Sequence, residues 1–184
     1  MARDNASRRE SRTDRFVLDQ PIGQARRHDP PARVRTLPSW LLAQAAWRSH
    51  LLVLHKLGTV GLRRHHYVLL TTLVEFGPAT QADLGRRLGL DRSDMVAVVN
   101  DLEGRGLVTR NADPMDRRHK IVALTLAGVA MQGRLDALVH EANEMLLAPL
   151  SAEERIRFTD FVSRLAGQPA GPAWGSSGET EPST

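Results

Sequence analysis

Residues Thr80–Gly128 read TQADLGRRLGLDRSDMVAVVNDLEGRGLVTRNADPMDRRHKIVALTLAG. Two helix starts stand close together in this run. Thr80-Gln81-Ala82-Asp83 offers a hydroxyl cap with an acid three residues on, a pattern that satisfies the free N–H groups of a first turn. It predicts a helix ending near Leu88-Gly89. Asp91-Arg92-Ser93-Asp94 repeats the device for a second helix running to about Arg105. The Gly89-Leu90 turn between them makes a helix-turn-helix pattern. Gly106 stops the second helix, Gly106–Arg110 starts a strand and Lys120–Leu124 forms another. The link from Asn111 to His119 holds Asp113-Pro114 as a turn, then Arg117, Arg118 and His119. A hairpin with a basic tip directly after a helix-turn-helix is a winged helix.

Working outward, Trp40, Gln44, Trp47, Leu51, Leu54 and Gly58 follow the alternating three- and four-residue spacing of a helix seam. Leu41, Leu42, Leu52 and Val53 make its other faces apolar as well. A helix apolar on several sides is expected to be buried on several sides, which favours packing against a second subunit. A further helix fits from about Arg64 to Phe76 and stops at Gly77-Pro78. Downstream, Thr125 caps a long helix to about Leu147, ended by Pro149. Ser151-Ala152-Glu153-Glu154 caps a last helix, on which Phe158, Phe161, Val162 and Leu165 form a stripe. The fold class is therefore mainly α with a small β-hairpin wing.

At 184 residues the chain suits one domain with tails. It contains no cysteine, which removes disulfides, zinc fingers, thiol nucleophiles and thiol-based oxidation sensing. Aromatics at 4% are too few for a base-stacking sheet. No apolar run is long enough for a membrane span and no secretory leader is visible, so a soluble cytoplasmic protein is expected. Residues 1–36 are polar, Arg-rich and broken by Pro21, Pro30 and Pro31, and read as a flexible arm; residues 168–184 read as a disordered tail. The net charge of +4 sits in the front: residues 1–40 carry nine Arg against five acids, whereas residues 121–184 carry four basic against eight acidic groups. A basic front hints at a polyanionic partner.

The Thr80–Gly128 run resembles the MarR (multiple antibiotic resistance regulator) transcription factors. Asp113-Pro-Met-Asp-Arg-Arg118 followed by an apolar strand and Leu124-Thr125 is similar to the family wing, and DLEGRGLV (Asp101–Val108) to the end of its recognition helix. The likeness extends over about residues 38–167. It implies a MarR-like winged-helix domain over 37–167, with the helix-turn-helix at 80–105, the wing at 107–124 and dimerisation helices at 39–60 and 125–166. It further implies an obligate homodimer of triangular outline on a palindromic operator, usually a repressor released by a ligand.

A recognition helix enters the major groove N-terminus first. The positions matching that part of the family are Asp91, Arg92, Ser93 and Asp94, then Ala97, Val98 and Asn100. Arg92 suits guanine or a phosphate, Ser93 a phosphate or base edge, and Asn100 adenine if its face points outward. Asp94 stands where Ser or Thr is expected; it either accepts from a cytosine amine or complements the helix dipole, and the second explains it without DNA. Gln81, Arg86 and Arg87 are candidate phosphate contacts, with a solvated helix face as the plain alternative for the two arginines. By resemblance, Arg118 takes the minor groove and Asp116 braces its guanidinium. Arg117, His119 and Lys120 add positive charge beside it.

The resemblance also places a ligand pocket beside the second helix, lined by His66 and Tyr67, with Trp47 and His50 one turn apart on the first helix. Imidazole and indole there would suit a small aromatic or phenolic ligand. Trp47 equally fits a core or dimer seam, and His50 a satisfied helix histidine. The His spacings lack a pair one helical turn apart, so neither a metal nor another cofactor is expected. No catalytic motif is present: there is no Gly-x-Ser-x-Gly, Walker loop, His-Glu-x-x-His or dinucleotide glycine fingerprint, so an enzyme is not expected. A homodimeric DNA-binding regulator leads; a winged helix used only for protein contacts and a metal-responsive regulator are the alternatives.

Overall fold

The computed structural model describes residues 30–112 and 120–168. The chain divides into two units, Met1–Ala43 and Gln44–Thr184. In the first unit, α1 (Ala32–Arg35) is a single helical turn started by Pro31, whose fixed φ suits a helix entry. It lies inside the stretch expected to be an arm, where polar, Arg-rich sequence offers no periodicity to announce it. Thr36 Oγ1 closes the turn on the Arg33 carbonyl at 3.2 Å. Leu37, Leu41 and Leu42 are exposed.

Helix α2 (Pro38–Gly58) continues into the second unit, which then holds α3 (Arg64–Phe76), β1 (Ala79–Thr80), α4 (Gln81–Leu88), α5 (Arg92–Gly104), β2 (Val108–Ala112), β3 (Lys120–Leu124), α6 (Leu126–Leu147) and α7 (Ala152–Leu165). Caps set most of these boundaries. Thr80 Oγ1 accepts the Asp83 N–H at 3.1 Å, and Asp91 accepts the Asp94 N–H at 2.8 Å. Thr125 Oγ1 accepts the Gly128 N–H at 2.9 Å. Ser151 and Glu154 close a reciprocal box, in which the Ser151 N–H draws the Glu154 carboxyl below its ordinary range. Each such cap is worth about 1 kcal/mol.

Gly89 ends α4 in the left-handed conformation, φ 64°, which only glycine adopts freely. Beside it, Gly85 lets the Leu90 carbonyl come within 3.2 Å of where a Cβ would sit. These two glycines make the tight turn that swings α5 out of line with α4.

The expected hairpin is part of a three-stranded antiparallel sheet of order β1-β3-β2. Val108 pairs with Leu124 and Ala112 with Lys120. The extra strand is Ala79–Thr80, paired with Val122 and Ile121. Gly77 and Pro78 end α3 and leave those two residues extended, too short a run for any alternation to reveal.

The core gathers Leu69, Leu70 and Leu73 of α3, Leu84 of α4, Met95, Val99 and Leu102 of α5, Val122 of β3 and Leu135 of α6. Each fully buried side chain of this kind stabilises by about 1.5–3 kcal/mol. The flanking helices contrast with this. Within the chain α2 buries only Leu57, and α7 buries nothing. The several-sided burial expected of α2 is therefore absent within one chain. Trp47, Leu54, Met145, Ile156, Phe161 and Leu165 are exposed.

Candidate nucleic-acid interface

Helix α5 has two faces. Met95, Val98, Val99 and Leu102 point into the core. Val98, grouped by sequence position with Ala97 and Asn100, is thus a core residue, 8% exposed. Arg92, Ser93, Val96, Ala97 and Asn100 line the exposed face. At the start of the helix, Asp91 is the cap, and its carboxylate also accepts from Ser93 Oγ at 2.7 Å. Asp94 sits in the first turn, where an acid complements the helix dipole.

Both ends of α4, the first turns of α5 and Lys120 of β3 open onto a groove of about 810 Å³. Gln81, Arg86, Arg92 and Lys120 line it together, with Met95 and Val96 at its floor. Arg86 pairs with Asp83, whose carboxyl is held low by the Thr80 hydroxyl first and then by Arg86. The Gln81 amide nitrogen is buried and has no hydrogen-bond partner among the described residues. Arg87 points elsewhere: its guanidinium lies 3.8 Å over the Phe76 ring, a cation–π contact.

The C-terminal half of α5 is braced from two sides, by Arg110, which the sequence did not single out, and by His66, expected at a ligand pocket. From β2, Arg110 donates to the Asn100 side-chain oxygen and lies 3.2 Å from the Glu103 carboxylate. Asn100 is exposed, yet its oxygen is already engaged within the chain. From α3, His66 reaches Asp101, which also accepts from Arg105 Nε at 2.9 Å. Arg105 holds the Asp101 carboxyl below its ordinary range. No periodicity links Arg110 to Asn100 or His66 to Asp101, because each contact joins different elements; only the strand's return alongside the helix could have suggested the first.

The expected ligand-lining residues fall into separate contacts. Trp47 and His50 stack with ring centres 6.0 Å apart. Tyr67 donates to Asp136 Oδ1 at 2.9 Å, and Gln132 donates to the other oxygen of the same carboxylate at 2.6 Å. Burial, then the Asp136 contact, pushes the Tyr67 phenol up to about 12. His66 has both ring nitrogens engaged. Asp116, Arg117, Arg118 and His119 lie outside the described residues; Lys120, at the start of β3, is exposed. Among the described residues, no three His, Asp or Glu side chains stand close enough to hold a metal.

A helix-turn-helix with a strand wing and long flanking helices defines the class: a winged helix-turn-helix. A family model described as the MarR family matches residues 60–119. A probable transcriptional regulator from Pseudomonas aeruginosa is 35% identical, with 72% of this chain and 99% of that one covered at a TM-score of 0.62. The PcaV transcriptional regulator from Streptomyces coelicolor is 32% identical over 72% of this chain and 96% of its own, at a TM-score of 0.60. The transcriptional repressor CouR, bound to a 23-mer DNA duplex, is 29% identical over 73% and 96%, at a TM-score of 0.65. The chain belongs to the MarR family of transcriptional regulators. That family is one of regulators, not enzymes.

Proposed function

We propose that this chain is a homodimeric repressor that binds a palindromic DNA operator and is released by a small aromatic or phenolic ligand. The observation that carries the DNA reading is the groove gathering Gln81, Arg86, Arg92 and Lys120 beside the exposed start of α5. Arg92 at the start of α5, with Arg86, Lys120 and the Gln81 amide that has no partner among the described residues, suits phosphate, while Arg92, Ser93 and Ala97 face a base edge. Arg118 is the residue for the minor groove, with Asp116 bracing its guanidinium. The relative CouR, bound to a DNA duplex, supports DNA as the partner.

Dimerisation draws support from the apolar residues of α7, whose Ile156, Phe161 and Leu165 are exposed. Ligand release draws support from PcaV, which has been crystallised with its natural ligand. The stacked Trp47 and His50 and the Tyr67 hydroxyl are the groups that would hold such a ligand; His66 offers it only its ring. As a reader of chromosomal DNA the protein works in the cytoplasm. No helix among the described residues is long and apolar enough to cross a membrane.

The test is selection of bound duplexes from a random pool, then binding to the selected duplex as salt rises, then a screen of small aromatic acids for release. The reading expects tight, specific binding that weakens steeply with salt. Equal affinity for random duplex would sink the operator. An intact dimer that binds no DNA would point to a protein-contact module instead.

A further inference from the structure

The recognition helix is gripped from behind by a histidine. His66, the third residue of α3, is 5% exposed. Its Nδ1 accepts the Arg63 backbone N–H at 3.1 Å, which places the ring proton on Nε2. Nε2 lies 3.2 Å from Oδ2 of Asp101, in the last full turn of α5. The other Asp101 oxygen accepts from Arg105, the residue that ends the helix. Arg105 in turn lies against Gly61, where a Cβ would come within 3.4 Å of its Nη1. A single imidazole thus ties the start of α3 to the end of α5.

Only one protonation state fits this arrangement. The neutral ring accepts on one side and donates on the other. A second proton, on Nδ1, would point at the Arg63 N–H, setting two donors head to head. Of the groups facing the ring, Asp101 favours that proton, whereas Arg105, Arg63 and His65 oppose it. Burial opposes it most strongly, and His66 is held neutral below the ordinary histidine range.

We propose that His66 is the positioning residue of the recognition helix: accepting from Arg63 on one side and donating to Asp101 on the other, it fixes how α5 is presented to DNA. This rests on the DNA-binding reading above. His66 touches no DNA in it and acts only through α5.

Full-length wild type, His66→Gln and His66→Phe test it. Glutamine can accept from Arg63 and donate to Asp101 without titrating, whereas phenylalanine fills the space and does neither. The readout is affinity for the selected duplex divided by affinity for a random duplex of equal length, at about pH 8. The ratio cancels any general change in phosphate attraction. His66→Gln should keep the wild-type ratio, and His66→Phe should lie about tenfold lower with the same oligomeric mass. A phenylalanine variant with wild-type discrimination, or a glutamine variant as poor as phenylalanine, overturns the proposal. If His66→Phe fails to fold, Asp101→Ala, which removes the other end of the contact, should show the same loss, and wild-type discrimination there overturns it. If wild type binds no duplex, the regulator reading fails separately. Hydrogen exchange then decides His66: amides of residues 92–104 should exchange faster in His66→Phe than in wild type while those of His66→Gln match wild type, and equal behaviour overturns the hold.

Discussion

The Arg110 guanidinium lies 3.2 Å from the Glu103 carboxylate, and through this contact β2 grips the recognition helix. The same guanidinium reaches Asn100, one turn earlier on the same face. Arg110 is mostly buried, so its loss removes packing as well as the contacts that tie two helix groups to β2. Arg110→Ala should destabilise the fold by about 1–3 kcal/mol in urea. In a double-mutant cycle with Glu103→Ala the coupling should be about 0.5–1 kcal/mol. Simple additivity would show that the contact holds nothing.

Helix α6 approaches β2 more closely than any side chain allows. A Cβ on Gly128 would lie 2.0 Å from the Leu107 carbonyl oxygen. Thr125, which caps α6, donates to the Gly106 carbonyl at 2.7 Å and fixes the same junction. Gly128→Ala should cost at least about 2 kcal/mol, because the backbone itself must move. Gly133, on the same helix with open space around it, is the control: Gly133→Ala should gain about 0.5–1 kcal/mol. Thermal melts of both variants read the contrast, and similar melting points would refute the close approach.

Tyr67 is the sole tyrosine of the chain, so a spectrophotometric phenolate titration reports on it alone. Its midpoint should lie at about 12. Asp136→Asn removes the carboxylate and should lower that midpoint. The sign for stability follows. The folded value is raised above the ordinary one, so the contribution is complete below about pH 10 and fades as pH rises toward the folded value. An unshifted midpoint in the wild type would mean that the hydroxyl is not held by Asp136.

Local chemistry was legible and long-range chemistry was not. Thr80, Asp91, Thr125 and Ser151 could be read as caps because a cap and its partner are three residues apart. Lys120–Leu124 was readable because four apolar residues follow Lys120. β1 escaped, since two residues carry no pattern. Helical spacing could not decide which way Asn100 and Val98 face to within one position, and Val98 went to the core. The contact of His66 with Asp101 was hidden, because nothing in a sequence joins it to a residue thirty-five positions on. The crowding of Gln81, Arg86, Arg92 and Lys120 at one groove joins three elements, and no spacing in the sequence announces it.

The wing arginine can be separated from the fold. Arg118→Ala should cost about 1–3 kcal/mol of operator affinity and leave the oligomeric mass unchanged. Unchanged affinity would remove the wing from the interface.

The most direct test of the central claim is a salt titration of the selected duplex by wild type and Arg92→Ala. The account predicts that log affinity falls linearly with log salt for wild type, and that Arg92→Ala binds more weakly by about 1–3 kcal/mol. Wild-type affinity that is indifferent to salt, or no stronger for the selected duplex than for a random one, would contradict it.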